Sequence, residues 1–343
     1  MQSRRRRPIR IILASMVVAL LTFLVAGFIY EALGRRQDRK RFLQIGRSVD
    51  IGGRSLNIYC SGEGSPAVIL DTGGGSPGYS NFPLQSRIAR FTRACWFDRA
   101  GLGWSDPSSV VQNSAAMADD LHALLHAAGI APPYVRVGQS FSGFNVRVFT
   151  AKYPREVAGI VLVDSVHEDQ RRYEPPAAKA PVLRLPAPVR TLLCTAVPWA
   201  ARVGLIRFLL NRSGARRDVP PEFTPYEAAT LHGLERQPKA LVAQAGCHTW
   251  EQSAEQARAA GDFGDRPLIV LTAGYPIKVG DPHMDRELAA FDQIWIHQLQ
   301  PQLARLSTRG RQVIVQGSGH GIAQEAPNEV VGAIREVVST VKK

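Results

Sequence analysis

Acidic residues are scarce in this chain: 29 Asp and Glu stand against 42 Lys and Arg, a formal net charge of +13 at pH 7. Such a deficit would suit a nucleic-acid binder if the basic residues formed a stripe interleaved with aromatics. They do not. Ten of them (Arg4, Arg5, Arg6, Arg7, Arg10, Arg35, Arg36, Arg39, Lys40 and Arg41) lie in residues 1–41 beside only Glu31 and Asp38. That segment carries +8 and the rest of the chain only +5, so the charge is local and a nucleic-acid partner is set aside. Metalloprotease spacing of the His-Glu-x-x-His kind is absent, as are internal repeats and low-complexity tracts. His122 and His126, four apart on one helical stretch, would hold an ion only with a third ligand nearby, so they read as solvated or packed histidines. Neither a metal nor a cofactor is expected. Cysteine is also sparse. The four present, Cys60, Cys95, Cys194 and Cys247, are an even number that suits two disulfides in an oxidising compartment.

Charge is missing altogether from residues 11–30, "IILASMVVALLTFLVAGFIY". As a helix these twenty residues would span about 30 Å, the hydrocarbon thickness of a bilayer. A cleaved signal peptide has a shorter apolar region and a small-x-small exit. This run ends "GFIYEALG", with an aromatic at the interface, and reads as an uncleaved single-pass anchor. Five basic residues flank each side, so charge barely sets the orientation. The cluster on the short N-terminal tail favours a cytoplasmic tail and a globular part in the periplasm or outside the cell.

The remainder, 45% hydrophobic and 21% charged over the whole chain, is ordinary for a folded globule. Its length fits one large unit with an embedded subdomain. "LQIGRSVDIGGRSLNIYCSG" reads as a hairpin with a Gly-Gly turn. "PAVILDTGGG", "ACWFDRAG", "PYVRVGQ" and "VAGIVLVDS" follow as short apolar strands, interleaved with helical stretches at "SAAMADDLHALLHAAGI" and "FNVRVFTAKYP". That alternation predicts a mostly parallel sheet covered on both faces. Residues 166–266, rich in Pro, Arg and Ala, show no buried strand and read as a helical insertion after the sixth strand. The strand pattern resumes at "RPLIVLTAG" and ends at "RQVIVQGSGHG" before a terminal helix. The expected organisation is a basic tail at 1–10, an anchor at 11–30, a basic linker at 31–43, core at 44–165, a cap or lid at 166–266 and core again at 267–343.

Between a strand and a helix stands "GQSFSG", with Ser140 two residues after Gly138 and two before Ser142. Later come "LVDS" at the end of the sixth strand and "GSGHG" after the last one. With the early loop "LDTGGGSPG", these stations resemble, in the same order, those of the α/β-hydrolases of the esterase, lipase and epoxide-hydrolase type, over roughly residues 44–340. The resemblance implies a doubly wound, eight-stranded sheet with Ser140 on a nucleophile elbow and His320 as the base. It implies an oxyanion hole from the backbone N–H groups of Phe141 and Gly74. The acid is either Asp164, at the end of the sixth strand, or Asp281, seven residues past Gly274, with Asp164 preferred. Asp98 and Arg99 in "FDRAGLGWSD" are expected to shape the loop beside the oxyanion site. In that architecture the second strand runs antiparallel to the fourth, which places Cys60 near Cys95 as a disulfide, while Cys194 and Cys247 both fall in the insertion and could pair there.

The resemblance implies hydrolysis of a small-molecule carboxylic ester through an acyl-enzyme, without a cofactor. A serine nucleophile argues against the epoxide-hydrolase and dehalogenase branches, which use aspartate there. Acyl transfer or peptide hydrolysis on the same triad, or a non-catalytic membrane-tethered binding module, stand as alternatives. Residues 189–210, apolar with scattered arginines, would suit a lipid-like ester if they lie on the bilayer; otherwise that face packs on the core.

Overall fold

The computed structural model describes residues 6–176, 185–213, 222–244, 249–275 and 280–342. Its first element, α1 (Arg6–Arg41), carries the uncharged run and continues without a break through the stretch expected as a linker. The apolar side chains of this run are exposed, and the helix is long and apolar enough to cross a membrane.

Eight strands then form one sheet: β1 (Arg47–Asp50), β2 (Ser55–Ser61), β3 (Ala67–Asp71), β4 (Ala94–Phe97), β5 (Tyr134–Gln139), β6 (Val157–Val163), β7 (Leu268–Ala273) and β8 (Gly310–Val315), in spatial order β1-β2-β4-β3-β5-β6-β7-β8. β1 and β2 make the hairpin; Gly52 and Gly53, at φ +97° and +85°, supply the two left-handed residues its turn demands. β2 pairs antiparallel with β4, and every later pairing is parallel. Cys60 and Cys95 lie directly opposite in the β2–β4 register and are joined as a disulfide. Cys194 is disulfide-bonded too; Cys247 lies outside the described residues.

The parallel connections are carried by α2 (Phe82–Ile88), α3 (Ser114–Ala127) and α4 (Ser142–Lys152). Between β6 and β7 lie α5 (Gln170–Tyr173), α6 (Ala187–Arg202), α7 (Leu205–Ser213), α8 (Pro225–Glu235), α9 (Pro238–Gln244) and α10 (Thr249–Ala259). α11 (Pro282–Ile294) and α12 (Gln300–Ala304) connect β7 to β8, and α13 (Ile322–Glu325) and α14 (Pro327–Val341) close the chain. One core, under α3, α4 and α10, gathers Leu121, Leu125, Phe144 and Phe149 against Ile69 and Ile160. The other packs α2 and α14 on the opposite sheet face through Leu84, Ile88, Ile334 and Val337. Strands buried on both faces read as continuous apolar runs, as β3 and β6 do.

α6 and α7 meet at a right-angled corner that packs against α1. The covered face of α1 is Gly27, Glu31, Gly34 and Asp38, one residue per turn. A side chain at Gly27 would collide with the Val203 carbonyl, and one at Gly34 with Arg207. The Arg207 guanidinium donates to both carboxylate oxygens of Glu31, at 2.8 and 3.2 Å, and to Asp38 at 2.8 Å. α1 and the α6–α7 corner are therefore joined by a close backbone approach and an ion cluster.

Candidate active site

The strands deliver their loops to one edge of the sheet, at the C-terminal ends of β3, β5, β6 and β8. Ser140 follows β5 at φ +53°, a left-handed conformation that is costly for a residue with a Cβ. The turn is held in it by hydrogen bonds from the Ser140 N–H to Val163 O at 3.0 Å and from the Val166 N–H to Ser140 O at 3.1 Å. Close packing explains the small residues around it. A Cβ on Gly138 would lie 2.8 Å from Val146, and one on Gly143 2.6 Å from the Ser165 Cβ. Ser142 occupies the position where glycine is usual, yet its buried hydroxyl reaches Asp71 O at 2.9 Å and Gln139 O at 2.8 Å. The extra atoms tie the elbow to the end of β3.

Three sequence-selected side chains come together here. His320 Nε2 lies 3.0 Å from Ser140 Oγ, and His320 Nδ1 lies 2.6 Å from Asp164 Oδ2. Asp164 is buried at the end of β6, also left-handed at φ +41°. Its other oxygen, Oδ1, accepts from the Ala273 N–H at 3.0 Å and the Trp295 indole N–H at 2.9 Å. With both oxygens engaged, the carboxylate presents one fixed acceptor to the imidazole. Asp281 is not brought to this group. It caps α11 at the surface, accepting from the His283 and Met284 N–H groups at 2.9 Å, which hold its carboxyl below the usual range. The His320 loop is tethered by Glu325, which accepts from the Gly319 N–H at 2.7 Å, and by Tyr275, whose N–H donates to Ser318 O at 2.9 Å.

The glycine loop after β3 passes over the serine: a Cβ on Gly73 would be 3.3 Å from the Ser140 Cβ, and one on Gly74 3.6 Å from the Phe141 Cβ. Among the described residues neither the Gly74 nor the Phe141 N–H donates a hydrogen bond within the protein. Arg99 braces the loop from below, donating to Thr72 O at 3.0 Å, Gly73 O at 2.6 Å and Asp71 Oδ1 at 3.2 Å. Asp98 is buried and accepts from the Gly78 N–H at 2.6 Å, the Trp104 N–H at 3.0 Å and the Asn57 amide at 3.0 Å. Burial pushes the Asp71 carboxyl up, against the pull of Arg99 and Arg136. Arg136, fully enclosed in β5, is brought down to about 10 by the same desolvation and so stays cationic at neutral pH.

One contributor had no readable signal in the sequence, and another was only partly read. Trp295 opens a π-helical turn, Trp295–Leu299, between α11 and α12, and that extra residue aims its indole at Asp164. Arg99 was expected only to shape a loop; its grip on two consecutive carbonyls needs the fold to be known. An open groove of about 490 Å³, lined by Arg47, Tyr59, Arg93 and Gly129 among others, lies elsewhere and holds no paired nucleophile and base. Chemistry, not concavity, marks the site.

Residues 66–183 match the family model described as the alpha/beta hydrolase fold. The chain has an α/β-hydrolase fold. A thermophilic esterase from Thermogutta terrifontis superposes with a TM-score of 0.57 at 20% identity, covering 88% of this chain and all of that one. The epoxide hydrolase CorEH superposes at 0.58 with 14% identity, over 87% of this chain and 99% of its own. At such identities the α/β-hydrolase likeness speaks for architecture alone. In sequence, the uncharacterized protein YbdG from Bacillus subtilis (strain 168) is 27% identical over 160 residues, 46% of this chain. The match spans 49% of YbdG, so about half of that relative's length is represented.

Proposed function

We propose that this chain is a serine hydrolase that cleaves carboxylic esters through an acyl-enzyme, with Ser140 as nucleophile, His320 as base and Asp164 as the acid that orients it. The observation that carries the reading is the continuous relay Ser140 Oγ–His320 Nε2 at 3.0 Å and His320 Nδ1–Asp164 Oδ2 at 2.6 Å. His320 takes the hydroxyl proton as Ser140 Oγ attacks the ester carbonyl carbon. The developing oxyanion is received by the Phe141 and Gly74 N–H groups; losing one such donor typically raises the barrier by ~2.7–4 kcal/mol. Collapse expels the alcohol, which leaves with the proton from His320. Water, deprotonated by the same imidazole, then attacks the acyl carbon and frees Ser140. A serine at the elbow supports ester cleavage over epoxide opening, which in this fold uses an aspartate nucleophile.

The substrate is lipid-like in this reading. Leu192 and Trp199 on α6, and Leu205, Phe208 and Leu209 on α7, are 43–66% exposed. The guanidinium groups of Arg202 and Arg212 sit over the rings of Trp199 and Phe208, at 4.9 and 5.6 Å. An apolar stripe rimmed by arginines is what an interfacial helix presents to a bilayer with anionic headgroups. The corner between α6 and α7 touches α1 at Gly27, near the end of the apolar run. With α1 as a single-pass anchor, the cap rests on the membrane surface, and the catalytic unit faces the periplasm or the exterior.

The test is a fluorophosphonate probe on the full chain in detergent, alongside turnover of p-nitrophenyl esters. Wild type is expected to label once and hydrolyse esters, and Ser140→Ala to lose the label and at least about a thousandfold in turnover. A folded wild type that neither labels nor cleaves an ester of any acyl length would leave a membrane-tethered binding module as the better reading.

A further inference from the structure

At the opposite end of the sheet from Ser140, three side chains from two elements converge. His122 and His126 lie one turn apart on α3, and Glu156 stands in the short 3-10 turn Pro154–Glu156 that leads from α4 into β6. His122 Nε2 is 3.0 Å and His126 Nε2 3.2 Å from the same carboxylate oxygen, Glu156 Oε1. One donor atom from each of the three lies within 4.8 Å of the other two. The sequence supplied the histidine pair but no third ligand, because Glu156 is 30 residues away from His126. Folding brings it in.

We propose that His122, His126 and Glu156 form a binding site for a divalent transition-metal ion of the zinc class. Zinc bonds to imidazole nitrogen and carboxylate oxygen run about 2.0–2.2 Å, so tetrahedral donors sit roughly 3.3–3.5 Å apart. The observed 3.0 and 3.2 Å are slightly shorter than that separation, and small side-chain rotations would open them to it. The His122 ring is held by stacking on Tyr153, with centroids 3.8 Å apart and planes within 6°. Tyr153 is itself fixed by its hydroxyl, which donates to Asp119 Oδ1 at 2.7 Å. Glu156 Oε2 is buried with no hydrogen-bond partner, so half of the carboxylate's capacity is unspent. The His126 side chain is 55% exposed, which leaves a fourth position open to water and an entry path for the ion. Two imidazoles and one carboxylate suit zinc, nickel or copper; magnesium and calcium require sets dominated by oxygen.

The site is separate from the reaction chemistry. Glu156 precedes β6 and Asp164 follows it, so the seven residues of that strand, about 23 Å at 3.3 Å each, lie between them. An ion here would clip α3 to the α4–β6 connection and stabilise the fold by its binding free energy.

Zinc uptake by the full chain in detergent, measured by isothermal titration and by thermal unfolding, tests this. Expected are one zinc ion per chain lost on mutation at this cluster, a higher Tm in zinc, and no response to magnesium or calcium. His126→Ala, at a half-exposed position whose truncation spares the fold, and Glu156→Gln should each weaken that uptake at least about tenfold, with esterase turnover unchanged for His126→Ala. Zinc affinity unaltered in folded His126→Ala, or no uptake by wild type at micromolar zinc, would overturn the assignment.

Discussion

Ser142 illustrates how a departure from a familiar pattern is absorbed. The backbone leaves room for a hydroxyl there because its two acceptors, Asp71 O and Gln139 O, are already turned inward. Tight contact falls on Gly138 and Gly143, where the sequence keeps glycine. Trp295 is the residue whose role is most open to a direct test. Trp295→Phe keeps an aromatic ring, though a smaller one, and removes one hydrogen bond to Asp164 Oδ1, leaving the Ala273 N–H in place. A hydrogen bond to a charged group is worth about 1.5–3 kcal/mol, but Asp164 retains its other partners. A fall in kcat of up to about tenfold with KM little changed is expected in steady-state ester hydrolysis. A change in KM alone would mean that the indole lines the substrate path instead of steering the carboxylate. Ser140, His320 and Asp164 were picked out by the resemblance of their strand-end stations, with Asp281 left as the alternative acid, and the fold brings the first three within hydrogen-bond distance. The indole was not, since a π-helical turn leaves no trace in apolar spacing and a tryptophan in a helix reads as core.

At the level of elements, the order of strands and the insertion after β6 were readable from short apolar runs between helical stretches. The extent of α1 was not. Polar residues 31–41 look like a linker because helix propensity is a weak prior beside composition. In the structure this stretch stays helical, with Glu31, Gly34 and Asp38 meeting the cap on one face. The exposed face of α6 and α7 gives the element-scale prediction. Replacing Leu192, Trp199 and Phe208 together with serine should leave hydrolysis of a soluble short-chain ester unaltered. It should depress hydrolysis of an ester embedded in anionic vesicles severalfold. Equal loss on both substrates would place that face in the fold of the cap and not against lipid.

For the whole molecule, the Cys60–Cys95 bridge closes a loop across the antiparallel edge of the sheet, with 35 residues of separation. Closing a loop of that size stabilises a fold by about 3–4 kcal/mol in the chain-entropy account. Cys60→Ala with Cys95→Ala should therefore lower the unfolding midpoint by several degrees under oxidising conditions, while in reductant the two proteins should melt together. A double variant that melts like wild type throughout would mean that the thiols are reduced in the native protein, and would weaken the case for an exported domain.

Joining α1 to the α6–α7 corner also bears on how the protein can be handled. Cutting the chain ahead of Phe42, the usual route to a soluble preparation, would strip Arg207 of Glu31 and Asp38 together and uncover the corner at Val203 and Gly204. A cap that has lost its support can settle elsewhere, onto its own mouth or onto a neighbouring molecule. Under the proposed function, selectivity measured on trimmed protein would then describe an altered site, and an inhibitor screen run on it would reward compounds that fit a shape the full chain does not present.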